Sequence, residues 1–442
     1  MPLDSAVNLD FPLILQRFDL PLPMIQWVVI SYILTQTSLM LVFGRIGDML
    51  GHRSVFLAGT AVSVVAFAAC AVAPNYGALL AARVVQGIGA GLVLSCGPAL
   101  ATGFFPDAMR ARVLGFYTMM FGIGAMIGPV AASLLIGRFG WSAVFSFRLP
   151  IALVAFGLAW RLPKAAAPAV RRSFDALGGL LLVAGMCALL MALNRLRDGV
   201  AAVLLLTVMV LCLGLFIRTE RRAASPILDL RAFHDPRFAA INLANWLMNL
   251  AGFSILLLGP FYLSGIAGLS ALPLGIMVAA SSLGIVIAAP VAGILAVRLR
   301  PGNLALLGAA ASAAGLFGFA SFCSGEAAAF PGLAWLFVWM VLQGVGLGLF
   351  QVAYFDIVTG TLPRADRGVA GALAMVTRSL GIATGATLLM LVFQAFQADS
   401  ELATPEALLA AFRASFRVAA AIPMALVLGG LILSIRSRAT GR

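Results

Sequence analysis

The chain has 442 residues, of which 62% are hydrophobic and only 10% charged, with a mean hydropathy of +1.07. That composition excludes a soluble domain and places the chain in a lipid bilayer. A net charge of +13 would point to nucleic acid in a soluble protein, but here the charge is spread thinly over connectors beside an anionic leaflet, so membrane topology explains it and no nucleic-acid partner is expected.

A helix needs roughly 20 residues to cross a hydrocarbon core of about 30 Å. Spans are predicted at 24–43, 54–73, 78–100, 112–136, 141–160, 176–194, 199–217, 239–263, 271–297, 303–322, 331–357, 367–395 and 414–435. Residues 1–16 read as a further span cut short, reaching about 24 Å at roughly 1.5 Å per residue and lacking a basic flank. Either an upstream start is lost or this helix lies partly in the interface. Counting it gives fourteen. Basic residues then orient the chain, because short cytoplasmic loops are enriched in Arg and Lys. One set of connectors holds Arg45, Arg53, Arg110, Arg112, Arg161, Lys164, Arg218, Arg222, Arg298, Arg300, Arg364 and Arg367 among others, whereas the opposite face holds only Arg17, Arg138, Arg195, Arg197, Arg413 and Arg417. Both termini are therefore expected in the cytoplasm of a multi-pass cell-membrane protein, a bacterial inner membrane fitting best.

Cysteine, histidine and lysine exclude several chemistries. Cys70, Cys96, Cys187, Cys212 and Cys323 are scattered through apolar runs without paired spacing and read as small buried hydrophobes. His52 and His234 fall in predicted loops, so no intramembrane metal site is expected. Lys164 is the only lysine and no glycine-rich loop precedes it, which removes a P-loop. No cofactor is expected, and any pumping must draw on an ion gradient or a partner ATPase.

The fourth and twelfth spans carry an internal repeat. Gln86, Gly87, Gly89 and Gly91 in "RVVQGIGAGL" answer Gln343, Gly344, Gly346 and Gly348 in "MVLQGVGLGLF", and "GRIGDMLGHR" from Gly44 has a degraded counterpart in "GILAVRLRPG" from Gly293. Close helix packing alone would use such glycines, but recurrence eight spans apart favours duplication. Residues 1–160 then form one six-helix bundle and 238–442 the other, with 161–237 supplying linkers and an inserted helical hairpin. Two facing six-helix halves are a common construction of secondary transporters.

Ionisable residues within spans are functional candidates because they are costly unless paired or facing a polar cavity. Asp10, Arg83 and Arg148 should sit at similar depth, about 9 to 12 Å below the outer surface by helical rise. An acid among arginines in a buried setting is how a proton site is tuned; a structural ion pair locking the helices is the alternative. Asp356 and Arg378 are at comparable depth in the twelfth and thirteenth spans and read as a buried pair, with a coupling site as the alternative.

In these residues the chain resembles the major facilitator superfamily, in particular its fourteen-helix drug:proton antiporter branch. Gly44, Asp48, Gly51 and Arg53 match the signature loop between helices two and three; "QWVVISYIL" from Gln26 resembles the second helix; Arg83, Gln86 and Gly87 resemble the fourth-helix motif. Gly115, Gly124, Gly128 and Pro129 match the antiporter motif of helix five in spacing, with Ala131 and Ala132 where glycine is frequent, and "ERRAASPILDLRAF" from Glu220 resembles the connector before helix nine. The resemblance implies a major facilitator fold and a gating role for the Gly44–Arg53 loop, with Asp48 near Ala365 to Gly368, clamping the outward-facing state. Physically, Gly44 permits close helix approach and Asp48 is an anion suited to the positive end of a helix, whereas an ordinary basic turn would account for Arg45 and Arg53 but not for Asp48. Arg53 is expected to meet an acid or lipid phosphate. Because Val297 stands opposite Asp48 in the repeat, the clamp is expected to be one-sided.

Two departures bear on coupling. In "PLDSAVNLDFP", Ser5, Val7, Asn8 and Pro12 match the family's first helix, but Leu3 occupies the acid's place, Asp4 is offset by one position and Asp10 replaces an apolar residue. Arg148 stands where Asn is common. The cavity residues are therefore taken as Asp4, Asn8, Asp10, Arg83 and Arg148. The expected function is a proton-coupled exporter of small amphipathic or drug-like molecules working by alternating access, not an enzyme. A transporter of an organic anion or metabolite and a transport-inactive receptor or assembly subunit remain open, as do accessory export partners.

Overall fold

The computed structural model describes residues 11–20, 24–163, 174–196, 198–223, 225–323, 332–398 and 405–439. Among them every regular element is a helix, and thirteen helices are long and apolar enough to cross a membrane. Preceded by the short α1 (Phe11–Phe18), they are numbered α2 (Gln26–Leu50), α3 (His52–Ala71), α4 (Tyr76–Gly103), α5 (Arg110–Phe139), α6 (Ala143–Trp160, interrupted at Phe147) and α7 (Ala176–Asn194). Then follow α8 (Gly199–Glu220), α9 (Pro236–Gly265), α10 (Ala271–Leu295), α11 (Pro301–Phe322), α12 (Gly332–Thr361), α13 (Arg367–Ala398) and α14 (Pro405–Ala439). Of the predicted first span only α1 is described; Asp4, Asn8 and Asp10 lie outside the described residues.

The signature stretch is less of a loop than its polarity suggests. α2 continues through Gly44, Arg45 and Asp48 to Leu50, and α3 begins at His52, so the connector is Gly51 alone. Its φ of 90° is a conformation that side-chain-bearing residues rarely adopt, which makes glycine the residue for that hinge. Polar residues end the apolar window without ending the helix, because i to i−4 backbone bonds continue as long as φ and ψ allow.

The chain divides into two compact units, one comprising Met1–Phe104, Gly128–Ala239 and Val358–Val376, the other Phe105–Ile127, Ala240–Ile357 and Thr377–Arg442. In the first, Ile14, Val28, Leu79, Val144 and Phe145 form a buried apolar cluster. In the second, Tyr262, Phe319, Phe412 and Phe416 pack edge to face, with ring centroids 4.8 Å apart for Phe319 and Phe416 and 6.0 Å for Tyr262 and Phe319.

The sequence repeat is also a repeat of contacts. A Cβ on Gly89 of α4 would lie 2.9 Å from Ser63 N and 3.0 Å from Gly59 O of α3; on Gly346 of α12 it would meet the same atoms of their repeat equivalents, Ser312 and Gly308 of α11. Gly87 faces Tyr32 O of α2, and Gly344 faces Ser281 O, the equivalent residue of α10. Likewise Gly44 stands against Gly368 O of α13 at 2.8 Å and Gly293 against Ala111 O of α5 at 3.0 Å, measured from an added Cβ. Without side chains at these points the backbones approach closely, and van der Waals packing, the main attraction available between helices in lipid, is greatest there.

Candidate functional site

The site built around the signature residues begins with Asp48. Its carboxylate accepts from Gly368 N at 2.7 Å and from Val369 N at 3.0 Å, the second and third N–H groups of α13. These are donors that no turn of the helix itself satisfies, at the positive end of its dipole, so an anion is held there by both charge and hydrogen bonding. The Asp48 side chain is only 2% exposed, and His52 Nε2 lies 3.5 Å from its Oδ1. Gly368 has no room for a side chain: a Cβ would come within 2.6 Å of Gly44 O and 2.7 Å of Asp48 Oδ1. Next to this cap, Arg45 of α2, 3% exposed, bonds Asp366 just ahead of α13 at 3.1 Å. Two polar links thus join the end of α2 to the start of α13.

Arg53 meets backbone carbonyls at the end of α6. Its Nε donates to Leu162 O at 2.8 Å and its Nη2 to Trp160 O at 2.6 Å, capping the C-terminal end of α6. The last carbonyls of a helix are unsatisfied acceptors at its negative end, so the guanidinium satisfies one of them, Trp160 O, and binds Leu162 O just past the helix.

Arg83 and Arg148 come together around Phe145. Arg83 is 1% exposed and donates to Val28 O at 2.7 Å and to Gln86 Oε1 at 2.8 Å, which gives the fourth-helix Gln its partner. Its guanidinium lies 4.6 Å over the Tyr32 ring and 5.8 Å from Phe145, while that of Arg148, 3% exposed, is 6.0 Å from Phe145 and 5.9 Å from Phe67.

The helix-five motif lies within one continuous helix: α5 runs through Gly124, Gly128 and Pro129. Gly115 stands against Ala289 O of α10, 2.5 Å from an added Cβ.

The pairing of Asp356 with Arg378 is corrected. Asp356 bonds Arg110, the first residue of α5, at 2.7 Å, while Arg378 lies over Phe121 at 5.2 Å. Depth along a helix can be counted from sequence, but the direction a side chain faces depends on helix rotation, and that rotation turns Asp356 toward α5.

A polar network on α9, α12 and α13 was missed. Tyr354 Oη donates to Asn242 Oδ1 at 2.8 Å; Asn245 Nδ2 donates to Thr377 Oγ1 at 2.7 Å; Gln351 Nε2 reaches Asn245 and Asn249 Oδ1, both at 3.2 Å. The spacing of Asn245 and Asn249, four apart on one helix face, was the available signal. Among the described residues no group of three or more His, Cys, Asp or Glu converges as a metal site.

Comparison with known proteins gives this geometry a context. A family model described as Major Facilitator Superfamily matches residues 3–386 and 241–441. The Riboflavin transporter RibZ of Clostridioides difficile (strain 630) is 27% identical over 397 residues, covering 90% of this chain and 85% of that protein. The Tetracenomycin C resistance and export protein of Streptomyces glaucescens is 29% identical over 394 residues, covering 88% and 72%. Among solved structures, the human organic anion transporter MFSD10 superposes with a TM-score of 0.65 at 16% identity over 96% of this chain and 89% of that one, and the proton:xylose symporter XylE with 0.65 at 15% over 97% and 91%. At these identities the structural likeness is one of fold.

Proposed function

The chain belongs to the Major Facilitator Superfamily, a family of membrane transporters and not of enzymes, and from that premise we propose that it is a proton-coupled exporter of small amphipathic molecules working by alternating access. The observation that carries this reading is the capping of α13 by Asp48. α2 belongs to the first repeat and α13 to the second, so a carboxylate on the N–H groups of the other half is a bond that forms and breaks as the halves rock. Val297, the repeat equivalent of Asp48, cannot do the same, so this latch acts at one gate, and the distribution of arginines supports reading it as the cytoplasmic one. By the sequence repeat we take the two halves as residues 1–160 and 238–442, with the α7–α8 hairpin inserted between them, whereas by contacts the start of α13 groups with α2. Two relatives named for resistance and export or for multidrug transport support the outward direction.

For coupling we keep Asp10 as the proton acceptor, with Arg83 and Arg148 setting its charge state and meeting the substrate. The two guanidinium groups sharing Phe145 also favour a second reading, a transporter of organic anions. Proteoliposomes under an imposed proton gradient test both. Flux of ethidium and tetraphenylphosphonium that disappears when the gradient is collapsed supports drug export; gradient-driven flux of benzoate instead supports the anion reading. Equal flux with and without the gradient overturns proton coupling. Asp10→Asn should uncouple flux from the gradient, and a stable Asp10→Asn protein with unchanged coupling removes Asp10 from that role.

A further inference from the structure

The segment after the inserted hairpin has no role in the mechanism above. We propose that Glu220 is a positioning residue for the gate, holding the connector 225–229 against the Arg45–Asp366 pair and so fastening the α7–α8 hairpin to the latch; this rests on the gating role given to Asp48.

α8 packs little. Apart from Ala202 and Phe216, its buried member is Glu220, its last residue, only 4% exposed. A buried carboxylate is costly unless bonded, and this one accepts from Leu228 N, eight residues on, at 2.6 Å. Its other oxygen lies at the first turn of α7 beside the Asp175 carboxylate and makes no hydrogen bond among the described residues. There an added Cβ on Gly178 would lie 3.2 Å from Glu220 Oε2 and also against Asp175 Oδ2, the N-cap of α7. α8, the connector and the start of α7 thus meet at one carboxylate.

The connector so held is buried, with Ile227 1% and Leu228 7% exposed. Ile227 Cδ1 and Val42 Cγ2 of α2 lie 3.5 and 3.6 Å from an added Cβ on Gly179, so the connector wedges between α7 and α2. α7 itself is tied to α2 by Cys187 and Ser38, 3.2 Å apart. A cavity of about 300 Å³ is lined by Ile227, Leu228 and Asp229 of the connector together with Arg45, Asp366 and Val369. Those last three are the ion pair of the gate and one of the two N–H groups that Asp48 holds. Releasing the connector removes the wall beside that pair.

Cys96 is a native reporter. It is fully buried, and its Sγ lies 2.5 Å from where a Cβ on Gly47 would stand, next to Asp48 along α2. The test uses the full chain in proteoliposomes, with Cys70, Cys212 and Cys323 replaced by Ala and Cys187 by Ser, and follows maleimide labelling of Cys96. Glu220→Ala should raise the labelling rate about tenfold, the population shift that the loss of one buried hydrogen bond supports. Glu220→Gln should stay within about twofold of the parent, because its amide oxygen accepts the same N–H. If Glu220→Ala does not accumulate, Leu228→Pro removes the donor from the other side and should raise labelling alike. Parent-like labelling in Glu220→Ala or in Leu228→Pro, or equal increases in Glu220→Ala and Glu220→Gln, overturns the proposal. Asp48→Asn in the same background separates the two readings. If it raises labelling and Glu220→Ala does not, only the positioning role fails; if neither does, the latch itself fails.

Discussion

Asp48 and Gly368, 320 positions apart in the chain, are joined at 2.7 Å through a carboxylate and a backbone N–H that would otherwise have no partner. The bond depends on Gly368 lacking a side chain as much as on Asp48 having a charged one, since a Cβ at 368 would stand 2.7 Å from the carboxylate oxygen. The first two predictions take these two partners in turn.

Asp48→Asn keeps the size and one acceptor but loses the charge and faces an N–H with an N–H. We expect a loss of about 1 to 2 kcal/mol from the latched state, in the range of helix caps and dipole interactions. Transport should fall, Cys96 labelling should rise, and the melting temperature should shift by only a few degrees. Wild-type labelling together with wild-type transport would remove the latch.

Gly368→Ala should act more severely, forcing α2 away from α13 at a cost of about 1 to 3 kcal/mol, typical of overpacking a tight contact. Gly44→Ala meets Ala372 and Gly368 and should match it. Gly157→Ala, where nothing lies within 4 Å, is the control and should be neutral. Thermal unfolding in detergent compares the three, and a neutral Gly368→Ala would mean that the helices separate freely there.

Breaking the Arg110–Asp356 pair from either side should destabilise the protein by up to about 3 kcal/mol, the low end for buried pairs because both side chains keep some exposure. Replacing both residues, Arg110→Met with Asp356→Leu, should recover most of that loss, and the coupling should emerge in a double-mutant cycle. Arg378→Met should show no coupling to Asp356. Strong coupling of Asp356 to Arg378 instead would restore the pairing counted from depth.

Arg83→Lys keeps the charge but cannot bond Val28 O and Gln86 Oε1 with one planar fork. We expect a drop in melting temperature of several degrees, with Gln86→Leu giving a similar drop and the double variant little more than either. Fully additive losses would show that the two residues do not act as one unit.

Much of the architecture was legible because it is written in periodic, local terms. Hydrophobic runs long enough for the bilayer gave thirteen of the helices, and the offset between "RVVQGIGAGL" and "MVLQGVGLGLF" gave a repeat that recurs atom for atom at Gly89 and Gly346. The signature residues announced Asp48 as unusual. The extent of α2 was not legible, since a polar tail on an apolar helix has the composition of a loop.

By itself the sequence determined the membrane setting, the number and order of helices and the close-packing glycines, because bilayer thickness and helical rise act on each segment separately. The tertiary structure alone decided the partners. Asp356 meets Arg110, Arg53 meets the end of α6, and Glu220 meets Leu228 across the end of the hairpin. Each of these depends on how a helix is turned about its axis against its neighbours, which is set by the packing of all of them together.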